Sequence, residues 1–425
     1  MPSTSAYRKV VRDTNATTDP RWVDGRFKGF SCGAYRTGDG IIRSQRFQDI
    51  ADFQRLANMG CTLLRTGIML DESGTSNFVI NNDDITYLDY FIASSAQVGC
   101  SVCVMVEFRV KNGDLSTYWF DAKAKQSSSL AFEYLAKRYK DNKAVVAFEI
   151  MNEPVVRCYP PYTLTLSSLT AGSGITAACT GAVFNSVYIG KVITLVGTGG
   201  KNFTITGYTD ANTVVGTLSA TVATVTYADR AWLVEYLDQT WIDFAIYNIV
   251  TIRSHDATRT VVVDTTDYAN PNKLDTFVPL PFDNIVYSIH TYQPMTFTHQ
   301  GIIGNPILTT VGGNNLYPGH VYNSATWNKD YISLNIYQSI RNFKAKYNVP
   351  IWVGEFSCIY TADPDSRYNY IKDHLDLITT EGYNWTMQSQ GDYVGWDFRY
   401  QKVENQGDAI PVPNNNLENL IKSYM

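Results

Sequence analysis

Short apolar runs alternate with segments of helical periodicity along most of this 425-residue chain. Strands that alternate with helices form a parallel sheet, and eight such units favour an α/β fold closed into a (β/α)8 TIM barrel over an open doubly wound sheet. No glycine-rich nucleotide-binding loop follows the first run, which also argues against the open sheet. The eight predicted strands are residues 29–33, 62–65, 101–106, 144–150, 259–263, 284–289, 350–354 and 393–396.

Residues 157–228 interrupt this alternation with a different composition. Short β-type runs are separated there by turns that contain Gly, Ser and Asn, and no helical period appears. We expect a small all-β domain inserted in the loop after the fourth strand, while residues 1–156 and 229–425 form the barrel. The sequences of runs 187–193 and 205–210 resemble those of small β modules of bacteriophage tail and virion proteins. Four roles stay open for the insert: gripping polymer, walling one side of the cleft, contacting a partner protein, or no catalytic part at all.

Composition argues against several classes of partner. The net charge is −5 and no basic run occurs, which argues against nucleic acid and anionic membrane. No stretch of about 18 apolar residues is present to span a bilayer. No signal peptide is visible at the N-terminus, and we expect an extracellular or phage-associated protein. Seven cysteines leave at least one thiol free or paired outside the chain, and the pairing of the others stays open.

Two of the predicted strands stop at a carboxylate. The fourth strand leads into Asn152, Glu153 and a proline, and the seventh leads into Glu355. A buried parallel strand loses stability from such groups unless they find partners, because both lose water there. A turn with its polar groups in solvent would explain the first motif alone. The second strand of the same design favours a shared site instead.

Other predicted strand ends add polar and aromatic side chains. Strand two ends in Arg65, strand six ends in His290, Thr291 and Tyr292, and strand eight ends in Trp396. A single arginine is commonly a structural ion pair, and His-x-Tyr is commonly a satisfied polar pair. In a barrel, however, the loops after the strands gather at one face. The common position of these residues therefore predicts one polar site at the barrel mouth.

The chemistry that suits this set is glycoside cleavage. An acetal needs its leaving oxygen protonated, while the anomeric carbon needs electron density from the other side. Glu153 is expected to be the acid, kept protonated by a neighbouring charge and partial desolvation. Glu355 is expected to be the nucleophile, kept ionised by Arg65 and hydrogen-bonded by Tyr292. If their carboxyl groups lie about 5 Å apart, the reaction retains configuration through a covalent glycosyl-enzyme.

Three further residues receive substrate-binding roles in this hypothesis. Asn152 can donate to a sugar 2-hydroxyl, a contact that strengthens as charge develops on the ring. His290 could orient Glu153, and Trp396 offers an apolar floor under the sugar.

The motifs resemble those of retaining (β/α)8 glycoside hydrolases, most closely glycoside hydrolase family 5, which includes cellulases and mannanases. The matching segments are Leu64-Arg65, Met151-Asn152-Glu153-Pro154, His290-Thr291-Tyr292, Val353-Gly354-Glu355-Phe356 and Trp396. The resemblance covers residues 28–156 and 229–424 and implies that Glu153 is the acid/base and Glu355 the nucleophile. The family usually has a histidine at the end of strand three. Here Glu107 stands near that position and is expected to contact a sugar or to pair with Arg109.

Aromatic residues on the mouth loops are candidate sugar platforms, although loop packing is the alternative for each. They are Tyr118, Trp119, Tyr268, Tyr317 and Trp327. No His, Cys and Asp cluster has metal-ligand spacing, so neither a metal nor an organic cofactor is expected.

The sequence thus predicts a retaining hydrolase of β-linked polysaccharide or oligosaccharide, of β-glucan or β-mannan type. Two alternatives stay open. One is a non-catalytic carbohydrate-binding phage tail or adhesin protein, and the other is a transglycosylase that uses the same two carboxylates.

Overall fold

The structure is a computed structural model with side chains. It describes residues 18–35, 49–72, 78–80, 82–109, 122–155, 157–158, 160, 162–228, 231–235, 238–301, 315–390, 395–401, 410–412 and 415–425.

Eight parallel strands close into a barrel. The order around the sheet follows the chain, and β1 pairs with both β2 and β8, for example through Gly29 with Leu63 and Lys28 with Trp385. The predicted (β/α)8 barrel is therefore confirmed. Strands β1 to β8 are Lys28–Tyr35, Leu63–Glu72, Ser101–Arg109, Val145–Glu149, Thr260–Asp264, Ile285–Thr291, Ile351–Phe356 and Asn384–Gln388.

Helices alternate with the strands as the apolar periodicity indicates. The first begins with the Asp49 side chain accepting from the Ala51 amide and ends at Gly60 with a φ of 100°, which glycine tolerates best. Helices α1 to α8 are Ile50–Met59, Asn82–Gln97, Ala122–Tyr139, Asp238–His255, Lys329–Ile332, Gln338–Tyr347, Pro364–Glu381 and Asn416–Tyr424. A π-helical segment, Ser333–Tyr337, joins α5 to α6. In the described part of the chain, no helix is long and apolar enough to cross a membrane.

The predicted eighth strand, 393–396, is wrong. The strand is Asn384–Gln388, and Trp396 lies in a turn of the following loop. The amide of Asn384 is buried and satisfied: its Oδ1 accepts from the Phe27 amide at 3.0 Å, and its Nδ2 donates to Trp22 O at 2.7 Å. A search for apolar runs misses a strand whose buried positions include such polar groups.

A second, antiparallel sheet of eight strands follows β4 in the chain. Its outward and inward residues alternate, as in Thr213–Leu218, where Val214 and Leu218 are buried. This sheet fits the all-β insert predicted after the fourth strand. Its last strand, Trp232–Glu235, pairs with Val192–Leu195, so the sheet extends past residue 228 and the next barrel helix begins at Asp238. The eight strands are Arg157–Cys158, Leu164–Leu166, Gly172–Cys179, Val192–Leu195, Asn202–Asp210, Thr213–Leu218, Thr226–Tyr227 and Trp232–Glu235.

The interior of the barrel changes from apolar to charged along the strands. Near the strand starts, one buried cluster contains Trp22, Phe27, Leu63, Cys103, Val146, Ala147, Val262, Val286 and Trp352. Side chains of one face recur every second residue, so the next inward positions after Leu63, Ala147 and Val262 belong to Arg65, Glu149 and Asp264. All three are fully buried. The apolar layer thus supports a charged layer directly beneath the barrel mouth.

Candidate active site

Arg65 is the buried cation of the charged layer. Its Nε donates to Glu149 Oε2 at 2.7 Å and its Nη2 to Glu149 Oε1 at 2.6 Å, which makes a bidentate pair. It also donates to Asn152 Oδ1 at 2.6 Å and to Glu355. Burial alone would lower the pKa of the guanidinium, but the charges of Glu149 and Glu355 raise it well above its usual value. Arg65 is therefore a fixed positive charge beside Glu355.

Glu355 lies in β7 and is held as a carboxylate. Burial alone would raise its pKa, but the positive charges of His290 and Arg65, with the hydrogen bond from Tyr292, lower the pKa below its usual value. The Tyr292 hydroxyl donates to Glu355 Oε2 at 2.7 Å. The side chain of Glu355 is 10% exposed, so one edge of the carboxylate reaches the cleft. An ionised, partly accessible carboxylate can act as a nucleophile.

Glu153 follows β4 in an unusual backbone conformation. Its φ of 50° lies in the left-handed region, which side chains other than Asn and Asp rarely adopt. Its amide donates to the buried Asp264 Oδ2 at 3.0 Å, which satisfies the N–H in this conformation. Its Oε1 lies 2.8 Å from His290 Nδ1, and its side chain is 26% exposed. Glu153 is thus more accessible than Glu355, and its direction is set by two buried partners.

His290 connects Glu153 to Asp264. Its Nε2 lies 3.7 Å from Asp264 Oδ2. Burial opposes a charge on the imidazole, but the carboxylates of Glu355, Asp264 and Glu153 raise its pKa to about 9. Burial and the charge of Glu149 raise the pKa of Asp264 to about 7. Gly354 leaves room for the ring, since a Cβ there would lie 2.8 Å from His290 Nε2.

The two candidate catalytic carboxylates lie close together. One oxygen of Glu153, one oxygen of Glu355 and a ring nitrogen of His290 are all within 4.8 Å of one another. Residues from β4 and β7 therefore share one site, as the sequence predicts for the barrel mouth. The two groups differ in exposure and in hydrogen-bond partners, which is the arrangement that acid and nucleophile roles require.

An open cavity of about 580 Å³ lies above these carboxylates. Trp396 forms part of its wall, with its ring centroid 5.4 Å from Tyr292 and 4.6 Å from His299. Burial lowers the pKa of His299 to about 4, so this imidazole is neutral at pH 7. Tyr268 is 62% exposed at the edge of the cavity. Aromatic rings and a neutral imidazole are well suited to the faces and hydroxyls of a sugar.

The predicted site residues have different positions in this arrangement. Glu153, Glu355, His290, Tyr292 and Trp396 line the cavity, while Arg65 and Asn152 hydrogen-bond to each other next to Glu355. Glu107 lies half-buried in β3, outside the described lining, and Trp119 falls outside the described residues, as does Tyr118. The sugar contacts predicted for Glu107 and Trp119 stay predictions.

Tyr317 is not a sugar platform. It is 2% exposed, and its hydroxyl donates to Asp373 Oδ2 at 2.6 Å inside the protein. Trp327 is 7% exposed and lines a second, smaller cavity.

Sequence reasoning missed four residues of the site. Glu149 stands inside the apolar run of the fourth strand, and Asp264 follows the residue at which the fifth was expected to end. Each could have been found from its spacing, because Glu149 lies two positions after the inward-facing Ala147 and Asp264 lies two positions after the inward-facing Val262. His299 and Gln388 also line the cavity but carry no pattern that marks them.

A group of side chains that could bind a metal ion lies within this network, and Arg65 already supplies a positive charge beside it. Oxygens of Glu149 and Asp264 and a nitrogen of His290 lie within 4.8 Å of one another, close enough to share an ion. However, Arg65 donates to both oxygens of Glu149. The protein itself therefore supplies the cation that this group of carboxylates requires. The absence of a metal cofactor stays a prediction.

Comparison with known families and proteins agrees with this geometry. The model of the family "Cellulase (glycosyl hydrolase family 5)" matches residues 19–159 and 225–400, which is most of the chain. The chain belongs to glycosyl hydrolase family 5. The gap between the two matched ranges falls within the antiparallel sheet, and the likeness of this insert to phage modules stays a prediction.

Individual family 5 relatives are distant. Endoglucanase C of Acetivibrio thermocellus is 25% identical over 156 residues, which are 32% of this chain and 45% of that protein. The chain thus spans less than half the length of this relative.

Two solved structures show the shared fold. A hyperthermophilic endo-β-1,4-glucanase in complex with substrate has a TM-score of 0.60 at 15% identity, over 95% of this chain and 98% of that one. Thermotoga maritima Cel5A in complex with mannotriose has a TM-score of 0.59 at 16% identity, over 95% and 100%.

Proposed function

We propose that this family 5 protein hydrolyses β-linked glycans of the β-glucan or β-mannan type by double displacement with retention of configuration. The observation that carries the proposal is that one carboxylate oxygen of Glu153 lies within 4.8 Å of one carboxylate oxygen of Glu355. Retaining glycosidases hold their two carboxyl groups about 5–5.5 Å apart, whereas inverting enzymes leave about 6.5–9.5 Å for a water molecule.

In the first step, Glu355 attacks the anomeric carbon while Glu153 donates its proton to the glycosidic oxygen. The bond between the anomeric carbon and that oxygen breaks, and the leaving sugar departs with a hydroxyl group. Arg65 and Tyr292 hold Glu355 in position through its two carboxylate oxygens. Because Asn152 Oδ1 is engaged by Arg65, its Nδ2 is the group that can donate to the sugar 2-hydroxyl.

In the second step, Glu153 acts as a base. It takes a proton from water, the resulting hydroxide oxygen bonds to the anomeric carbon, and the ester bond to Glu355 breaks. His290 lies 2.8 Å from Glu153 and 3.7 Å from Glu355, so its positive charge faces both carboxylates as their charges exchange. This position supports a role for His290 in keeping the two groups at different protonation states.

The substrate class rests on the relatives and on the wall of the cavity. One of the two compared structures is an endo-β-1,4-glucanase in complex with its substrate, and the other is a complex with mannotriose. The cavity presents Trp396, Tyr292 and Tyr268 as apolar surfaces for sugar rings. These features support glucose- or mannose-based β-linked chains as the first substrates to test.

The decisive experiment uses a panel of β-glucans and β-mannans with product analysis. We expect release of reducing sugar by the wild type and loss of it in Glu355→Gln, while the matched surface variant Glu133→Gln retains activity. A 2-deoxy-2-fluoro glycoside should label a peptide that contains Glu355. Label on a peptide without this residue would overturn the assignment.

The same products separate the alternatives. Chains longer than the substrate would indicate a transglycosylase, and binding without any bond cleavage would indicate a carbohydrate-binding protein. An extracellular or phage-associated location, and contact of the insert with polymer or a partner protein, stay predictions.

A further inference from the structure

Cysteines lie close together where β2 and β3 begin, at the end of the barrel away from the catalytic carboxylates. Cys61 comes two residues before β2, Cys100 immediately before β3, and Cys103 inside β3. All three are buried thiols in this structure. The proposed mechanism uses none of them.

Cys61 and Cys100 face each other across the space between β2 and β3. The Cys100 thiol donates to Cys61 O at 3.2 Å, and the Cys61 thiol donates to Leu63 O at 3.2 Å. The hydrogen bond between the two thiol groups lowers the pKa of Cys100, which burial alone would raise. Burial first, and then the same hydrogen bond, raises the pKa of Cys61. The two sulfur atoms are therefore direct neighbours.

The backbone at these residues has the spacing of a disulfide. Ser101 pairs with Leu63 and its amide donates to Thr62 O at 2.9 Å, so the parallel register continues to Thr62 beside Cys100. Cys61 is therefore offset from Cys100 by one residue. A rise of about 3.3 Å and a strand separation of about 4.8 Å place their Cα atoms about 6 Å apart. Disulfides join Cα atoms that are roughly 4.4–6.8 Å apart, so a bond between these sulfurs fits the backbone as it stands.

Neither of the other two cysteines described near these strands is placed to compete. Cys100 and Cys103 have the Cys-x-x-Cys spacing of redox motifs, but residues three apart on a strand face opposite sides. Accordingly, Cys103 packs inside the barrel with Leu63, whereas Cys100 belongs to the cluster between the strands and the helices. Cys32 lies on β1 beyond the level of Arg65, which is about 13 Å along the strands from Cys61.

We propose that Cys61 and Cys100 are a disulfide site, at which oxidation links the starts of β2 and β3 covalently. The oxidant is a low-molecular-weight disulfide. It meets the pair while the chain folds, because Cys61 is 5% and Cys100 is 3% exposed in the folded barrel.

The link forms in two exchange steps. The Cys100 thiolate attacks one sulfur of the small disulfide, forms a mixed disulfide and displaces one thiolate. The Cys61 thiolate then attacks the Cys100 sulfur, and the second small thiolate leaves. In total the two protein thiols lose two protons and two electrons, and the small disulfide becomes two thiols.

The link should stabilise the fold. It closes a loop that contains β2 and α2, which restricts the unfolded chain. The loss of the two thiol hydrogen bonds costs little, because a thiol is a weak donor. For a chain of this length, we expect the melting temperature to rise by about 2–5 °C.

The test refolds the reduced chain from urea in reduced or in oxidised glutathione, blocks the remaining thiols and maps the tryptic peptides. Cys61 lies in residues 56–65 and Cys100 in residues 66–109, so these two peptides should be joined only after oxidation. Thermal unfolding should show the rise for the oxidised wild type and no rise for Cys61→Ala or Cys100→Ala. No link, or a link from residues 56–65 to the Cys32 peptide, would overturn the proposal.

Cys103→Ala is the matched control, since residues 66–109 contain both Cys100 and Cys103. This variant should keep the link and the rise in melting temperature. A link that persists in Cys100→Ala would belong to Cys103 and would reject the assignment, as would a link that leaves the melting temperature unchanged. If the chain does not refold, the native protein incubated with oxidised glutathione in urea just below its unfolding midpoint gives the same readout. Neither measurement depends on hydrolysis, so the outcome is independent of the proposed function.

Discussion

The barrel mouth has two regions of opposite character. The charged floor consists of Arg65, Glu149, Asp264, His290 and Glu355, all of them buried and joined by ion pairs or hydrogen bonds. The neutral wall consists of the amides and aromatic rings of the second cavity together with Tyr268 at the open edge of the first, and several of these side chains are partly exposed.

The difference follows from what each region does in the proposed mechanism. Charge is useful where it changes during the reaction, because groups that are already oriented stabilise the transition state more than the bound substrate. Elsewhere at the barrel mouth the ligand is neutral, and no interaction with it would offset the desolvation energy of a buried charge. We therefore expect changes in the floor to alter rate and stability, and changes in the wall to alter affinity.

The largest expected effect comes from Glu153→Gln. Loss of general acid–base catalysis typically costs about 10² to 10⁴ in rate. The loss should be large on a natural glycan and much smaller, in the first step, on a dinitrophenyl glycoside, whose leaving group needs no proton. Steady-state and burst kinetics on both substrates measure this, with Glu381→Gln on α7 as the control. Equal losses on the two substrates would mean that Glu153 is not the acid.

The second prediction concerns the stability of the floor. In Arg65→Met, the fully buried Glu149 loses both of its charge-assisted hydrogen bonds, and breaking one partner of a buried pair typically costs about 3–5 kcal/mol. Urea denaturation measures the free energy of unfolding. Arg138→Met removes an exposed pair with Asp89 and should cost about 1 kcal/mol or less.

Adding Glu149→Gln to Arg65→Met should recover part of the stability, because the uncompensated charge is gone. No recovery would show that the arginine contributes through packing and not through charge.

Asp264→Asn should change the pH dependence of activity more than its maximum. Asp264 helps to raise the pKa of His290 to about 9, so its loss lets the imidazolium lose its proton at lower pH. The alkaline limb of kcat/KM should therefore move to lower pH, with about a tenfold loss at pH 8 to 9. NMR titration of the His290 ring checks the cause directly. The isosteric amide keeps the contact with the Glu153 amide, so a uniform loss at every pH would indicate a purely structural role.

Charge also links this site to stability. His290 has a raised pKa, so the stability from its positive charge is fully present below its ordinary pKa near 6.5. That contribution is lost as the pH rises towards 9.

Much of the floor, with Glu153 beside it, could be predicted because these residues end apolar runs of the sequence, although β2 continues past Arg65 to Glu72. Arg65, Glu153, His290 and Glu355 each follow or close an apolar run, and parallel strands bring such ends to one face. Trp396 lines the cavity as predicted, but the predicted strand around it was wrong, because Trp396 belongs to the loop after β8. Asp264 was missed because the apolar run Val261–Val263 hides a polar last residue. Its role depends on a contact with the amide of a residue 111 positions away, which no local pattern reveals.

The wall could not be predicted in the same way. Trp327 and Tyr268 were identified as candidate platforms by residue type alone, as was Tyr317, and the structure separates them by exposure and position. Tyr317 is interior, Trp327 lines the second cavity, and Tyr268 lies at the open edge of the first. Loop conformation decides such outcomes, and loops lack the periodicity from which strand positions were predicted.

The smallest expected effect is at this open edge. Tyr268 is 62% exposed and contacts no part of the charged floor through a described hydrogen bond, so Tyr268→Ala should remove a sugar platform without disturbing Glu153 or Glu355. A platform binds substrate and transition state alike, so KM should rise about threefold while kcat stays constant. Alanine and tyrosine both carry a Cβ, so the backbone strain at a φ of 64° is matched between variant and wild type. Tyr247→Ala on α4 controls for loss of an exposed tyrosine. A fall in kcat at constant KM would show that Tyr268 stabilises the transition state. The distinction between a charged floor that determines the rate and a neutral wall that determines affinity would then be wrong.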